Sequence, residues 1–478
     1  MDYNIIVIGA GAGGLVSSYI AAAVKAKVLL IEKHKMGGDC LNTGCVPSKA
    51  LIRTASVVSE IGRHKEFGLK SATVEFDFAE VMERVQRVIK KIEPHDSIER
   101  YTKLGVECIQ GNARIISPNK VEVNGKVLTT KNIIIATGAG PFIPNIPGLK
   151  ETGFLHTDNL WDIRKKPKRM VVIGGGPIGC ELGQAFNRLG IQVTQIQRGN
   201  QLLNREDDEV VEIMQKKFQE EGMHIHLNAE PVKVSKQGDE KVVHLKMKDG
   251  TTKDIVCDEI LVSIGRSANV KGFGLEELGV ELSARGTIGI DGFCRTNFKN
   301  IFAVGDVAGP YQFTHFAAHQ AWYAAVNALF QPFKKFRADY SVIPWITYTD
   351  PEIGRVGLNE KDAKEQNIAY EVTKYNLDDL DRAITDEEDY GLVKILTVPR
   401  KDKILGVTVC GHHAGNLLPG FVYAMKYNLG LNKILGSIHA YPSWGEANKY
   451  AAGVWKKNHA PDGLLKIIQK FHTFRRGK

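Results

Sequence analysis

Cysteine is scarce in this chain. Seven residues, at positions 40, 45, 108, 180, 257, 294 and 410, are spread over 478. That is too thin for the disulfide framework of a small secreted domain, and a reducing cytoplasm fits it better. No second pair with zinc-ligand spacing follows Cys40 and Cys45, so no structural zinc site or other resident metal is expected. No nucleic-acid-binding motif accompanies the net charge of +9, so nucleic acid is not an expected partner. Low-complexity segments are absent. Asn4 to Val24 carries no charge and is long enough to span a bilayer. It even contains Gly9-x-x-x-Gly13. Yet it packs four glycines into six positions and no basic region precedes it, so it reads neither as an anchor nor as a signal peptide.

What is present is ordinary for a globular protein: 43% hydrophobic and 24% charged residues, over a length that suggests about three domains. The most informative stretch is Gly38-Asp39-Cys40-Leu41-Asn42-Thr43-Gly44-Cys45-Val46-Pro47-Ser48-Lys49. Pro47 suits a first helical turn and Ala50-Leu51-Ile52-Arg53 continues it, which predicts a helix beginning at Cys45. A thiol there feels the positive end of the helix dipole, so its thiolate is stabilised. A neighbouring thiol can form or resolve a disulfide with it, giving a two-electron redox element. Spacing alone leaves half of a metal site, or two small buried hydrophobes, open as other readings.

Two dinucleotide-binding patterns frame this element. Ile5 to Ile8 runs into Gly9-x-Gly11-x-x-Gly14, then a helical stretch, then Val28-Leu29-Leu30-Ile31 ending at Glu32. The glycines permit a tight turn, close pyrophosphate approach and close helix packing, and the acid can accept hydrogen bonds from a ribose. Met170 to Ile173 leads into Gly174-x-Gly176-x-x-Gly179, and the position matching Glu32 is Gln197, followed by Arg198. An acid there would repel a 2′-phosphate, whereas Gln and Arg accommodate one, so the second site leans towards NADPH over NADH. Each half then continues alike. Val121 to Val127 is a hairpin with an Asn-Gly turn. Ile133-Ile134-Ile135-Ala136-Thr137-Gly138 in the first half matches Ile260 to Gly265 in the second. Two dinucleotide sites with a cysteine pair imply an electron relay. A second nicotinamide could not readily take a hydride and then reduce sulfur, so the first site is expected to hold FAD.

A further strand, Ile301 to Val304, ends in Gly305-Asp306. The basic stretch Lys334-Lys335-Phe336-Arg337 marks a boundary, and a third domain of mixed strands and helices begins at about Ile343. Lys456 to Lys478 holds seven Lys/Arg against one acid, Asp462, and Leu464, Leu465, Ile468 and Phe471 fall at helical spacing. This basic amphipathic helix is expected either to dock on the body or a second subunit, or to touch an anionic membrane surface weakly.

In their order and spacing these motifs resemble the pyridine nucleotide-disulfide oxidoreductases, the family of dihydrolipoamide dehydrogenase, glutathione reductase and mercuric reductase. The resemblance covers nearly the whole chain and implies an α/β fold: two Rossmann-type domains, for FAD and NAD(P), plus a C-terminal α+β dimerisation domain. The corresponding boundaries are 1–150 and 271–342 for the FAD domain, 151–270 for the NAD(P) domain and 343–478 for the interface domain. It implies a homodimer. It further implies that Cys45 lies against the isoalloxazine as the charge-transfer thiol and that Cys40 is the interchange thiol. Lys49, paired with Glu181, would sit near the reactive flavin nitrogen. Asp306 would bind the ribityl chain, and Thr314 and His315 would lie near the ring. Gly38, Thr137, Gly138, Gly265, Arg266 and Gly305 complete the cofactor-binding set.

One departure bears on substrate. Thiol-exchanging members carry His-Pro, with Glu four residues after the proline; here the stretch is Tyr441-Pro442 with Glu446. A phenol, with a pKa of about 10 against about 6.5 for imidazole, can donate a proton at neutral pH but is a poor base for a thiol. Tyr at this position resembles mercuric reductase, whose soft ion would bind Cys40 and Cys45 directly. That enzyme also carries a C-terminal cysteine pair, whereas the last cysteine here is Cys410. Cys410-Gly411-His412-His413 is expected to pack rather than ligate. The expected acceptor is therefore a metal ion or another thiol-reactive species, as for mercuric reductase, with a disulfide (as in dihydrolipoamide dehydrogenase) or a quinone as alternatives. A reading of another class is a membrane-surface or partner-binding flavoprotein acting through its basic tail.

Overall fold

A computed structural model describes residues 1–477. The chain forms two compact units, one of Met1–Leu202 with Glu221–Asp339, the other of Leu203–Glu220 with Tyr340–Lys478.

The first unit opens with β1 (Tyr3–Ile8), α1 (Ala12–Ala23) and β2 (Val28–Glu32). Next come α2 (Gly38–Asn42), α3 (Cys45–Gly62), β3 (Val106–Gln110) and β4 (Lys126–Ile135). The strands lie in the order β3-β2-β1-β4, all parallel, and Ile301–Ala303 pairs with the other side of β4. Ile5, Ile6 and Val7 are all fully buried, as expected for a parallel strand covered on both faces. Each contributes about 1.5–3 kcal/mol of burial, which is why the uncharged N-terminal run folds as strand, turn and helix. No helix among the described residues is long and apolar enough to cross a membrane. The start of β4 pairs antiparallel with Lys120–Val123 across Asn124 and Gly125, both with positive φ (50° and 73°), a turn whose twist matches the flanking strands.

The plan repeats with β5 (Arg169–Ile173), α4 (Pro177–Arg188) and β6 (Gln192–Ile196). Here β5 lies between β6 and Glu259–Val262, as β1 lies between β2 and β4, and every pairing is parallel. In both sheets a glycine turn therefore follows a central strand. That is where a doubly wound sheet opens its crevice.

The second unit is a five-stranded antiparallel sheet in the order Pro344–Thr347, Glu352–Gly357, Ile404–Gly411, Leu392–Thr397, Glu371–Asn376. Helices Ala414–Lys426 and Glu446–Asn458 cover it around Leu417, Phe421 and Trp455. The helix Asp208–Glu220 buries Val210, Val211, Met214 and Phe218. Beside it Lys394, 1% exposed, bonds Asp207 (2.8 Å), Glu209 (2.5 Å) and Glu360 (2.5 Å). Desolvating an ammonium costs several kcal/mol, and here three carboxylates offset it. Cys410 is buried, and His412 and His413 pack their rings on Trp444 (5.5 and 5.6 Å). The chain closes with the helix Asp462–Arg475, none of whose residues is buried.

Candidate active site

Cys45 is the first residue of α3. No side chain caps that helix at Gly44, so its first amides and its dipole are left to the thiol. Thr314 Oγ1 lies 3.4 Å from Cys45 Sγ. One turn along α3, Lys49 Nζ is 2.7 Å from Glu181 Oε2, a buried carboxylate on α4. Cys40, at the centre of α2, is hydrogen-bonded to Cys45. That bond is the largest influence holding the Cys45 thiol below its ordinary pKa; the Thr314 hydroxyl and Lys49 act in the same direction, against burial. The same bond, together with burial, pushes the Cys40 thiol up. The reduced pair is thus one thiolate, Cys45, and one thiol, Cys40. The loop between them is pinned by Trp161, whose Nε1 donates to Thr43 O (2.9 Å). Asn42 Nδ2 ties α2 back to Met36 O (3.0 Å) and Gly38 O (2.9 Å).

Around the cysteines the first glycine turn is built for close approach. Gly9 has φ +100°, and a Cβ there would run into the Ala136 carbonyl. A Cβ on Gly38 would lie 2.6 Å from Gly11 Cα, so the cysteine segment passes directly over this turn. The N-cap of α1 is Gly11, without a side-chain cap, and Gly14 lies in the helix's first turn. Glu32 accepts from Ala10 N (2.7 Å) and His34 N (2.8 Å), which holds its carboxylate at the rim of the same turn. Thr137 Oγ1 donates to Asn269 O (2.8 Å), and Asn269 N donates to Gly138 O (2.9 Å). Arg266, next to Gly265, pairs with Asp39 and with Asp306 (3.3 Å). Burial raises the Asp306 pKa, and Arg266 opposes that rise. Gln320 fixes the turn that carries Asp306: its Oε1 accepts from Gly305 N (2.7 Å) and its Nε2 donates to Gly309 O (2.9 Å). His315 is exposed and stacked on Phe313 (5.3 Å).

At the second turn, α4 has Gly176 as its N-cap, again without a side-chain cap, with Gly174 before it and Gly179 within the helix. Gln197 Nε2 donates to Gln201 O (3.2 Å), and Arg198 is exposed at the end of β6. Two uncapped helix N-termini, a carboxylate at the end of β2 and a half-buried Asp306 suit one dinucleotide at each turn.

Tyr441 and Glu446 belong to the second unit. Tyr441 is 68% exposed and its hydroxyl donates to Asp381 Oδ2 (2.9 Å), a bond that raises the phenol pKa. Glu446 is buried and accepts from Ser443 N (3.3 Å) and Tyr450 Oη (3.1 Å). Sequence reasoning missed Trp161, Asn269, Gln320 and Asp381. None of these lies in a motif, and each acts through a contact distant in the chain. Only Asp39, adjacent to Cys40, carried a local signal.

Residues 3–321 match the pyridine nucleotide-disulphide oxidoreductase family, and residues 343–452 match the dimerisation domain of those enzymes, which supports a homodimer. A mercuric reductase of Bacillus cereus is 34% identical over 458 residues, 96% of this chain and 72% of that protein. A dihydrolipoyl dehydrogenase of Chlamydia muridarum is 34% identical over 476 residues, 98% of each. In fold the chain is similar to the HOCl-induced flavoprotein disulfide reductase RclA of Escherichia coli (TM-score 0.84, 24% identity, 95% of this chain and 100% of that one). It is similar also to LpdA of Mycobacterium tuberculosis (TM-score 0.85, 24% identity, 94% and 99%). This chain therefore belongs to the pyridine nucleotide-disulphide oxidoreductases, enzymes that contain FAD and use NAD(P)H.

Proposed function

We propose that this is a cytoplasmic NADPH-dependent reductase that delivers two electrons through Cys40 and Cys45 to a soft, thiolate-seeking metal ion of the Hg(II) type. The observation that carries the reading is Tyr441 in the place of the family's proton-accepting histidine, with its hydroxyl donated to Asp381. That bond keeps the phenol neutral, so it takes no proton from a thiol at neutral pH. Dithiol–disulfide exchange needs such a base. Binding a divalent soft metal to two sulfurs does not, because the metal itself displaces the thiol proton.

Gly9, Gly11, Gly14, Glu32, Asp306 and Arg266 would hold FAD; Gly174, Gly176, Gly179, Gln197 and Arg198 would hold NADPH. FAD, when bound, supplies two-electron exchange between nicotinamide and sulfur. The chain's own groups do the rest. Lys49, ion-paired with Glu181, favours anionic Cys45. Thr314 hydrogen-bonds that sulfur. Cys40, with the thiol proton, is the sulfur that meets the acceptor. Overall, NADPH and M²⁺ give NADP⁺, H⁺ and M⁰, in balance.

The identity over 98% of a dihydrolipoyl dehydrogenase supports a second reading, oxidation of dihydrolipoamide. Mercury-dependent NADPH oxidation in excess thiol, set against dihydrolipoamide oxidation by NAD⁺, separates the two. Turnover with mercury and little with dihydrolipoamide is expected; the reverse result sinks the first reading.

A further inference from the structure

We propose that the C-terminal helix Asp462–Arg475 is a membrane-surface anchor that lies in the plane of an anionic lipid leaflet. Along this helix Leu464, Ile467, Ile468, Phe471 and Phe474 recur at intervals of three and four and share one half of the surface, with Leu465 at its edge. All six are exposed, Phe474 at 80% and Ile467 at 65%. Six large apolar side chains on one short helix, none of them buried, form a contiguous face that needs an occupant.

Charge selects among the occupants. Lys466 and Lys470 stand on the opposite half, Arg475 and Arg476 close the helix, and Lys456 and Lys457 end the helix before it, against Asp462 alone. The whole chain carries a net +9, so a second copy brings charge of the same sign to a strongly basic segment. A leaflet of acidic phospholipid brings both missing complements: apolar acyl chains for the leucine, isoleucine and phenylalanine face, and phosphate for the lysines and arginines. The helix spans 14 residues, about 21 Å at 1.5 Å per residue, against about 30 Å of bilayer hydrocarbon. It therefore lies along the surface and does not cross.

The test uses the full-length holoenzyme in co-sedimentation with vesicles of phosphatidylcholine alone and of phosphatidylcholine with 30% phosphatidylglycerol. Binding to the acidic vesicles at least about tenfold above the neutral ones, weakened by salt, is expected. Lys466→Glu with Lys470→Glu, and separately Ile468→Glu with Phe471→Glu, each lower that binding by about tenfold or more. Subunit assembly by light scattering and NADPH oxidation with an artificial acceptor stay unchanged in both variants. Equal recovery on neutral and acidic vesicles overturns the proposal. So does loss of the dimer in the Ile468→Glu, Phe471→Glu variant, which would assign the face to the second copy. The proposal is independent of which acceptor the cysteines serve.

Discussion

Removing the Thr314 hydroxyl tests the electrostatics of the cysteine pair most directly. Thr314→Val is nearly isosteric, keeps the β-branch at the start of its helix and deletes only the oxygen 3.4 Å from Cys45 Sγ. A hydrogen bond to a charged group contributes about 1.5–3 kcal/mol, and the long sulfur contact puts this one at the low end. At about 1.4 kcal/mol per unit, the Cys45 pKa should rise by about one unit. The sign follows from the ion favoured: Thr314 stabilises the thiolate, so without it ionisation moves to higher pH. The cleanest background is Cys40→Ser, which leaves Cys45 as the sole thiol of the pair. The pH profile of its iodoacetamide alkylation, read by peptide mass spectrometry between pH 5 and 9, reports the midpoint. Superimposable profiles with and without the threonine hydroxyl refute the assignment of Thr314 as donor to sulfur.

Three further outcomes are expected. Gln197→Glu should lower kcat/KM for NADPH by about tenfold or more while sparing NADH, since a carboxylate there repels a 2′-phosphate; steady-state kinetics with both cofactors measure it. Tyr441→His should raise disulfide exchange by about 10²-fold or more if proton acceptance limits it, and dihydrolipoamide or glutathione disulfide turnover checks this. Lys394→Met should destabilise the second unit by about 3–5 kcal/mol, because Asp207, Glu209 and Glu360 lose their shared counter-charge; denaturant titration reads it.

Much of this molecule is legible in local patterns. Both glycine turns, the strands that feed them and the helix starting at Cys45 stand where sequence places them, because each is dictated by a few neighbouring residues. The Asn124-Gly125 turn is legible for the same reason. Lys49 meets Glu181 across 132 positions only because α3 and α4 pack, and the family resemblance rather than periodicity anticipates that pair. Trp161, Gln320 and Asp381 were invisible, since a single aromatic, amide or acid has no period and its partner is fixed by the fold. The C-terminal helix was legible as an amphipathic element. What covers its face was not, because hydrophobic spacing does not distinguish a protein partner from lipid.

The placement of Asp208–Glu220 has a consequence for how the chain is made. This helix leaves the ribosome long before Leu392–Thr397 and Ile404–Gly411, the strands of its own compact unit. At about 5–20 residues per second, Val210, Val211, Met214 and Phe218 wait on the order of 10–40 s for their sheet. Throughout that interval the nascent polypeptide carries an uncovered greasy stripe beside the unneutralised carboxylates of Asp207 and Glu209. Biosynthesis is thus most exposed to aggregation or chaperone capture in the middle of translation, and a gene cut at residue 340 would separate the sheet from the piece that completes it.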